Sequence, residues 1–443
     1  MSYPAQLLIY VPEVTNRLSY IMDLIVADLI GIPYTFTTDA EYFKSASGPK
    51  FSYAKAPVGD ELFFECQNLL FETDIKYPPI PIAEHENLKG FFTVSERSTL
   101  PFDLFATAFY LVTCYAEYLP GRVDKFGRYR ASQSMNYKAG FLEEPMVNMY
   151  AEYLKKVLRS RYNGLSFPER RFTYIPTFDV DMAFCYRGKG FQRNFGGAIR
   201  DLVMNDFKSF TDRFLVLFRG KKDPFDTFDY LLEVCERDGH RPVFFFLMAD
   251  LSRYDKCVPH TYEPYREIIR RVAAKADVGI HLSYQSHKHN KIEKEEISRL
   301  EDIIGKSVTL NRFHYLRFDT PRSQIRVIDY GITDDYSMGY GPHPGFRAGI
   351  CTPYYLFNLY TNTRENIRIH PIAFMDSTLI QYKKMNYRQG LERIRKIVNS
   401  VKEVNGTCYA LWHNDTFIER KQYRGWRNVF ETISRETAQW MKS

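Results

Sequence analysis

At 443 residues the chain is too long for one ordinary hydrophobic core, so its length predicts two domains. A hydrophobic fraction of 45% and an aromatic fraction of 16% exclude a disordered chain. Lys and Arg exceed Asp and Glu by only 60 to 53, a net charge of +7 too mild and diffuse to indicate nucleic acid, though it suits an anionic substrate or a membrane surface.

The seven Cys are scattered and include no Cys-x-x-Cys, a pattern expected of reduced thiols in a cytosolic protein rather than of a disulfide frame or a zinc ribbon. Glu13, Arg17 and Asp23 interrupt the N-terminal stretch, so no signal peptide is expected there. No run approaches the roughly 18 apolar residues of a membrane span. The expectation is a soluble, cytoplasmic protein.

Strand patterns at Leu7 to Val11, Tyr34 to Thr37, Phe51 to Tyr53 and Leu62 to Cys66 accompany helical spacing at Arg17 to Ile30. Pro101 to Leu119 reads as a buried helix opened by Pro, Asp124 to Glu144 as loop, and Met146 to Arg159 as helix. These make a smaller α+β N-terminal domain, 1–165, with no catalytic constellation of its own. The junction Pro168-Glu169-Arg170-Arg171 separates it from a second domain, 170–443.

There strands alternate with helices. Strands are expected at Thr173 to Asp181, Pro242 to Met248, Val278 to Tyr284, Val308 to Leu316, Ile332 to Tyr336, Ile367 to Phe374 and Thr407 to Trp412. Helices are expected at Phe225 to Arg237, Tyr262 to Ala276, Lys291 to Ile304, Arg322 to Tyr330, Asn386 to Glu403 and Trp426 to Met441. The alternation predicts a parallel α/β sheet, and about seven strands favour a barrel. An insertion at about 188–223 is basic and amphipathic over Gln192 to Lys222; it is either a surface helix over the barrel or a peripheral membrane contact.

The most telling stretch is Thr177-Phe178-Asp179-Val180-Asp181. Alternation along a strand puts Asp179 and Asp181 on one face about 7 Å apart, where they can meet one metal or one substrate. The plainer reading makes Asp181 a turn or cap residue. In parallel β/α folds catalytic groups gather at strand C-termini. His281, Arg312, His314, Arg317, Asp335, Asp376 and His413 all fall at or just beyond such ends, and are expected to converge on one mouth.

The Thr-Phe-Asp-Val-Asp strand, Gly279-Ile280-His281-Leu282-Ser283, the Arg312 strand and Leu411-Trp412-His413 follow the order of the motifs of polysaccharide deacetylases, the NodB-homology carbohydrate esterases. Arg312 to Arg317, Asp335 to Tyr340, Gly345 to Gly349 and Met375 to Leu379 further resemble a bacterial branch in which an uncharacterised N-terminal domain precedes the barrel. The resemblance implies a distorted (β/α)7 barrel that removes N- or O-acetyl groups from sugars with one divalent metal, Zn or else Co, Ni or Mn.

By that likeness Asp179 is the general base, Asp181 and His281 metal ligands, His413 the acid, and Arg312 the partner that orients the base. The family's acid pair is adjacent, whereas here Val180 intervenes; its second motif carries another His four residues on, where this chain has Gln285. If the segment coils after Tyr284, His287 supplies the third ligand, with a solvated loop residue the equal alternative; if it is helical, His289 shares the face of His281, but His289 is read as a solvated loop residue. Asp376 is expected to orient His413. Arg347, with Asp335, His314 and Arg317, is read as binding an anionic sugar, or alternatively Asp335 and Arg347 form buried structural pairs.

The leading expectation is therefore a deacetylase acting on an acylated sugar or glycan precursor of envelope polysaccharide. The alternative is an inactive relative kept as a sugar-binding or assembly module.

Overall fold

The computed structural model describes residues 6–442, the side chain of Lys288 aside. Strands β1 (Leu7–Tyr10), β2 (Tyr34–Thr37), β3 (Lys50–Ala54) and β4 (Leu62–Glu65) form a parallel sheet ordered β2-β1-β3-β4. The first crossover is the helix Asn16–Met22, whose N-terminus is capped by Thr15, and it runs on into a π-helical turn, Asp23–Ile30. Gly31 ends that turn at φ 85°, a left-handed conformation suited to glycine. A hairpin, β5 (Ile82–His85) and β6 (Leu88–Phe91), follows.

The helix expected over 101–119 is shorter, Leu104–Val112, and every residue of it is buried, as its all-round apolar sequence requires. Asp103 caps it by accepting from the Ala106 N–H at 2.9 Å. Cys114 at φ 51° breaks it, and Tyr115–Tyr118 continues as a 3₁₀ turn.

The larger sheet contains β7 (Thr173–Val180), β8 (Val243–Leu247), β9 (Asp277–Leu282), β10 (Leu310–Phe313), β11 (Asp334–Asp335), β12 (Tyr354–Asn358), β13 (Thr363–Ile369), β14 (Ile372–Met375) and β15 (Thr407–His413). Their order is β12-β13-β11-β10-β9-β8-β7-β15-β14, and all pairs are parallel except β12 with β13. The distorted barrel expected from the sequence is thus present as a curled half-barrel of nine strands. The run expected as one strand, Ile367 to Phe374, is bent at His370-Pro371. Its first half pairs with β11 and its second with β15, so the two sides of the sheet meet along a single stretch of chain. Pro371, with no N–H to give a ladder, sits at the corner.

The N-terminal part packs on the β12–β13 hairpin. Phe109 meets Phe357 edge to face at 5.2 Å, and the Tyr20 hydroxyl donates to the Tyr355 carbonyl at 2.6 Å. A contiguous buried apolar cluster runs from Leu7 to Ile433 across both parts.

Candidate metal centre

Register places the chemistry. β10 sets Arg312 opposite His281 of β9, β15 sets His413 opposite Asp179 of β7, and Asp181 follows β7 by one residue. All lie at the C-terminal ends of parallel strands, the end at which loops leave backbone and side chains free to face a cleft.

One donor atom each from Asp181, His281 and His314 lies within 4.8 Å of the others. The Nε2 of His281 is 3.3 Å from Asp181 Oδ1, and the Nε2 of His314 is 3.4 Å from Oδ2 of the same carboxylate. Both rings are held from behind. His281 gives its Nδ1–H to the Arg312 carbonyl at 2.8 Å, and His314 Nδ1 pairs with Asp255 at 2.8 Å. Such partners fix the tautomer that leaves Nε2 free as a ligand. Asp255, wholly buried, is itself held by the Ser252 hydroxyl and the Tyr284 N–H.

Burial alone would raise the Asp181 carboxyl, but His314 and His281 outweigh it and hold the group well below the usual carboxylate range. Its Oδ1 is buried and accepts no hydrogen bond, an arrangement that costs free energy unless a cation satisfies the oxygen. One carboxylate and two imidazoles with an orphaned oxygen fit a divalent metal of the zinc type, with a coordination position left open.

Asp179 flanks this cluster, its Oδ2 3.5 Å from His281 Nε2. Its other oxygen receives Arg312 Nη1 at 2.7 Å. Arg312 is fully buried, donates also to Thr177 Oγ1 and the Tyr336 carbonyl, and lies over the Phe245 ring. This is a carboxylate fixed at one oxygen and open at the other.

On the neighbouring strand His413 Nδ1 meets Asp376 Oδ1 at 2.6 Å. Asp376 is saturated by the His413 and Ser377 N–H groups and by Thr416 Oγ1. Burial opposes a charge on His413, yet Asp376, then Asp181 and Asp179, hold its pKa well above the ordinary imidazole value. With Nδ1 committed, Nε2 is the nitrogen left to act.

Asp179, Asp181, His281, His314 and His413 line a cleft of about 240 Å³ together with Arg128, Tyr315, Tyr382, Asp415 and Tyr423. Burial pushes Asp415 up to about 6. Arg128, from the loop between Asp124 and Glu144, reaches the mouth by pairing with Asp124 and donating to the Tyr315 carbonyl at 3.1 Å. Tyr315 and Leu316 both have left-handed φ, 62° and 52°, so the turn that carries His314 is strained where the function would lie.

Asp179, Asp181, His281, Arg312, His314, Asp376 and His413 therefore converge, whereas His287, Arg317, Asp335 and Arg347 lie outside the cleft. His287 is not at the cluster: the chain turns at Ser286–Lys288, and His287 Nε2 faces Asp319 at 3.3 Å. His314, read as a substrate contact, stands where the third donor was sought. Arg347 is buried on Glu117 with contacts of 2.8 and 2.6 Å and lies over the Phe318 ring, so its guanidinium is spent on joining the N-terminal part to the barrel. Asp335 is fully buried and accepts from Asn311 and Ser337, while Arg317 donates to the Tyr284 carbonyl and stacks on its ring. Neither lines the cleft.

Sequence reasoning missed Asp255, Asp415 and the Arg128 loop. Asp255 lies eight residues past the end of β8, in the loop that follows it, too far along for the strand-end rule to single it out. Arg128 had only an aromatic and basic neighbourhood, Phe126-Gly127-Arg128-Tyr129, to mark it.

A parallel β/α half-barrel with an Asp and His cluster at its strand ends is the class that fold and site define. Residues 7–163 match a family of unknown function, DUF7033. Among curated proteins none matches the sequence. Among solved structures the chain is similar to a candidate polysaccharide deacetylase from Mycobacterium smegmatis, at 13% identity over 61% of this chain and 86% of that one, with a TM-score of 0.40. It is also similar to the Puue allantoinase, at 11% identity over 61% and 89% of the two chains with a TM-score of 0.37. A polysaccharide deacetylase from Bacillus cereus is 14% identical over 62% and 88%, with a TM-score of 0.31.

Proposed function

We propose that the chain is a metal-dependent hydrolase that removes an acetyl group from an acylated sugar or glycan precursor. The observation that carries this reading is the convergence of Asp181, His281 and His314 between two differently prepared groups, Asp179 on Arg312 and His413 on Asp376. A metal bound by the three donors would polarise an acyl carbonyl and lower the pKa of a bound water.

The chain's own residues divide the proton work. Asp179, anchored at Oδ1 by Arg312, keeps Oδ2 to accept a proton from the attacking water, and the fixed guanidinium stops the carboxylate from turning away. His413, charged through Asp376, donates from Nε2 to the departing amine or alkoxide. Tyr315, Tyr382 and Tyr423 around the mouth offer the flat apolar surfaces with polar rims on which sugar rings stack. The missing second His of the motif is compensated, in this reading, by His314.

Acetate release from acetylated amino-sugar and sugar-ester substrates tests it. Asp179→Asn should retain metal and lose turnover by about 10²–10⁴-fold, whereas Asp181→Ala should lose both. Release of free sugar in place of acetate, or full activity in Asp179→Asn, would reject the assignment.

A further inference from the structure

The insertion at about 188–223 is a pair of helices, Gly190–Val203 and Phe207–Phe218, that is apolar on the outside. On the first helix Phe191, Phe195, Ile199 and Val203 recur every four residues and are exposed, Phe191 to 81%. On the second, Phe207, Phe210, Phe214 and Phe218 follow at spacings of three and four, Phe218 exposed to 71%. More than half of the large apolar side chains exposed among the described residues lie in this short segment.

The contact between the two helices is polar instead. Arg213 is buried on Asp201 at 2.8 Å and donates to Asn194, and Gly197 lets the guanidinium approach, since a Cβ there would meet it at 2.6 Å. A hairpin with its ion pair inside and its phenylalanines outside is the reverse of what water favours.

Charge indicates what covers it. The three acids of the hairpin are occupied: Asp201 by Arg213, Asp206 by Lys421, and Asp212 by Lys221 and Arg420. Lys208 and Arg219 remain exposed on the hairpin, beside Arg200 and Lys222, which are exposed but face Asp201 at 3.5 Å and Asp229 at 3.1 Å. Two copies joined through these faces would bring like charges together. An anionic lipid surface would satisfy both the rings and the cations. No helix among the described residues is long and apolar enough to cross a membrane, and helices of 14 and 12 residues suit an interfacial position.

We propose that this hairpin docks the protein on an anionic lipid surface, with the phenylalanine face in the acyl boundary and the basic rim on the headgroups. The hairpin leaves the barrel just beyond Asp181, and Lys421 and Arg420, which clamp it, lie in the segment that carries Tyr423 to the cleft. Docking therefore sets the barrel down by its candidate-site end. The inference stands apart from the chemistry proposed for that site.

Co-sedimentation of the full chain with phosphatidylcholine vesicles, with and without phosphatidylglycerol, tests it. The chain should pellet with the anionic vesicles alone and be released by salt. Phe191→Ser with Phe218→Ser should weaken partitioning by more than about tenfold, and Lys208→Gln with Arg219→Gln by about 30-fold. Unchanged melting temperatures would show that both double variants remain folded. Failure to pellet, equal pelleting with neutral vesicles, undiminished binding by either folded double variant, or a dimer in light scattering that dissociates in the Phe→Ser variant would each overturn the proposal. A protein that binds vesicles but releases no acetate would keep the docking and reject only the hydrolase reading.

Discussion

At the scale of single residues the buried Asp255 is the clearest case of a group acting through another. It cannot reach the cluster, yet it decides which nitrogen of His314 is free, since it holds the other. Asp255→Asn keeps the shape and loses the charge that favours an Nδ1–H on His314. It should lower metal affinity about 10- to 100-fold while circular dichroism stays that of the parent; unchanged affinity in competition with a chelator would show that Asp255 serves only the Ser252 and Tyr284 turn. Residue identity made Asp179, Asp181, His281 and His413 legible, because each ends a strand that pattern alone could place. It could not separate His287 from His314. That choice depends on where the chain turns after β9, and the 3₁₀ turn at Ser286–Lys288, which swings His287 toward Asp319, leaves no periodic signal.

At the scale of elements, the strand end that carries His281 is held from beneath by the helix Asn290–Ile304. Glu296 on that helix is buried, and its Oε2 accepts the Ser283 N–H at 2.9 Å. Burial raises the Glu296 carboxyl from 4.5 to about 7. A folded-state pKa above the unfolded value means that this group's contribution is fully present below about 4.5 and is lost as pH rises through about 7. Glu296→Gln, which keeps the acceptor and removes the charge, should therefore match the parent at pH 4 and exceed it at pH 8 by roughly 3 kcal/mol, because each tenfold change in the protonation equilibrium is worth about 1.4 kcal/mol. Denaturant melts at the two pH values would check this, and an equal difference at both would contradict it. Strand and helix existence was readable from apolar periodicity. β12 was not, lying beyond a glycine-rich aromatic loop, and neither was the bend at His370-Pro371, because a run that changes partners halfway looks like one ordinary strand.

For the whole molecule, the N-terminal part does more than precede the barrel. Its Glu117 takes up Arg347, its Phe109 packs on Phe357, and its Arg128 lines the cleft. Composition and motif order could announce two parts and an α/β sheet, but contacts between residues more than two hundred positions apart have no trace in a single sequence. The same reason explains Arg347: an arginine in a glycine-rich loop looks free for an anion until its partner, 230 residues earlier, is known. What the folded chain adds is a site whose third donor comes from a different strand than the motif order implied.

That substitution is tested most directly by counting metal. Apo protein dialysed against zinc and assayed by atomic emission should bind it stoichiometrically as the parent and as His287→Ala. His314→Ala and the milder His314→Gln, each confirmed folded by circular dichroism, should lose it. Retention of zinc by both folded His314 variants, with loss in His287→Ala, would contradict the account.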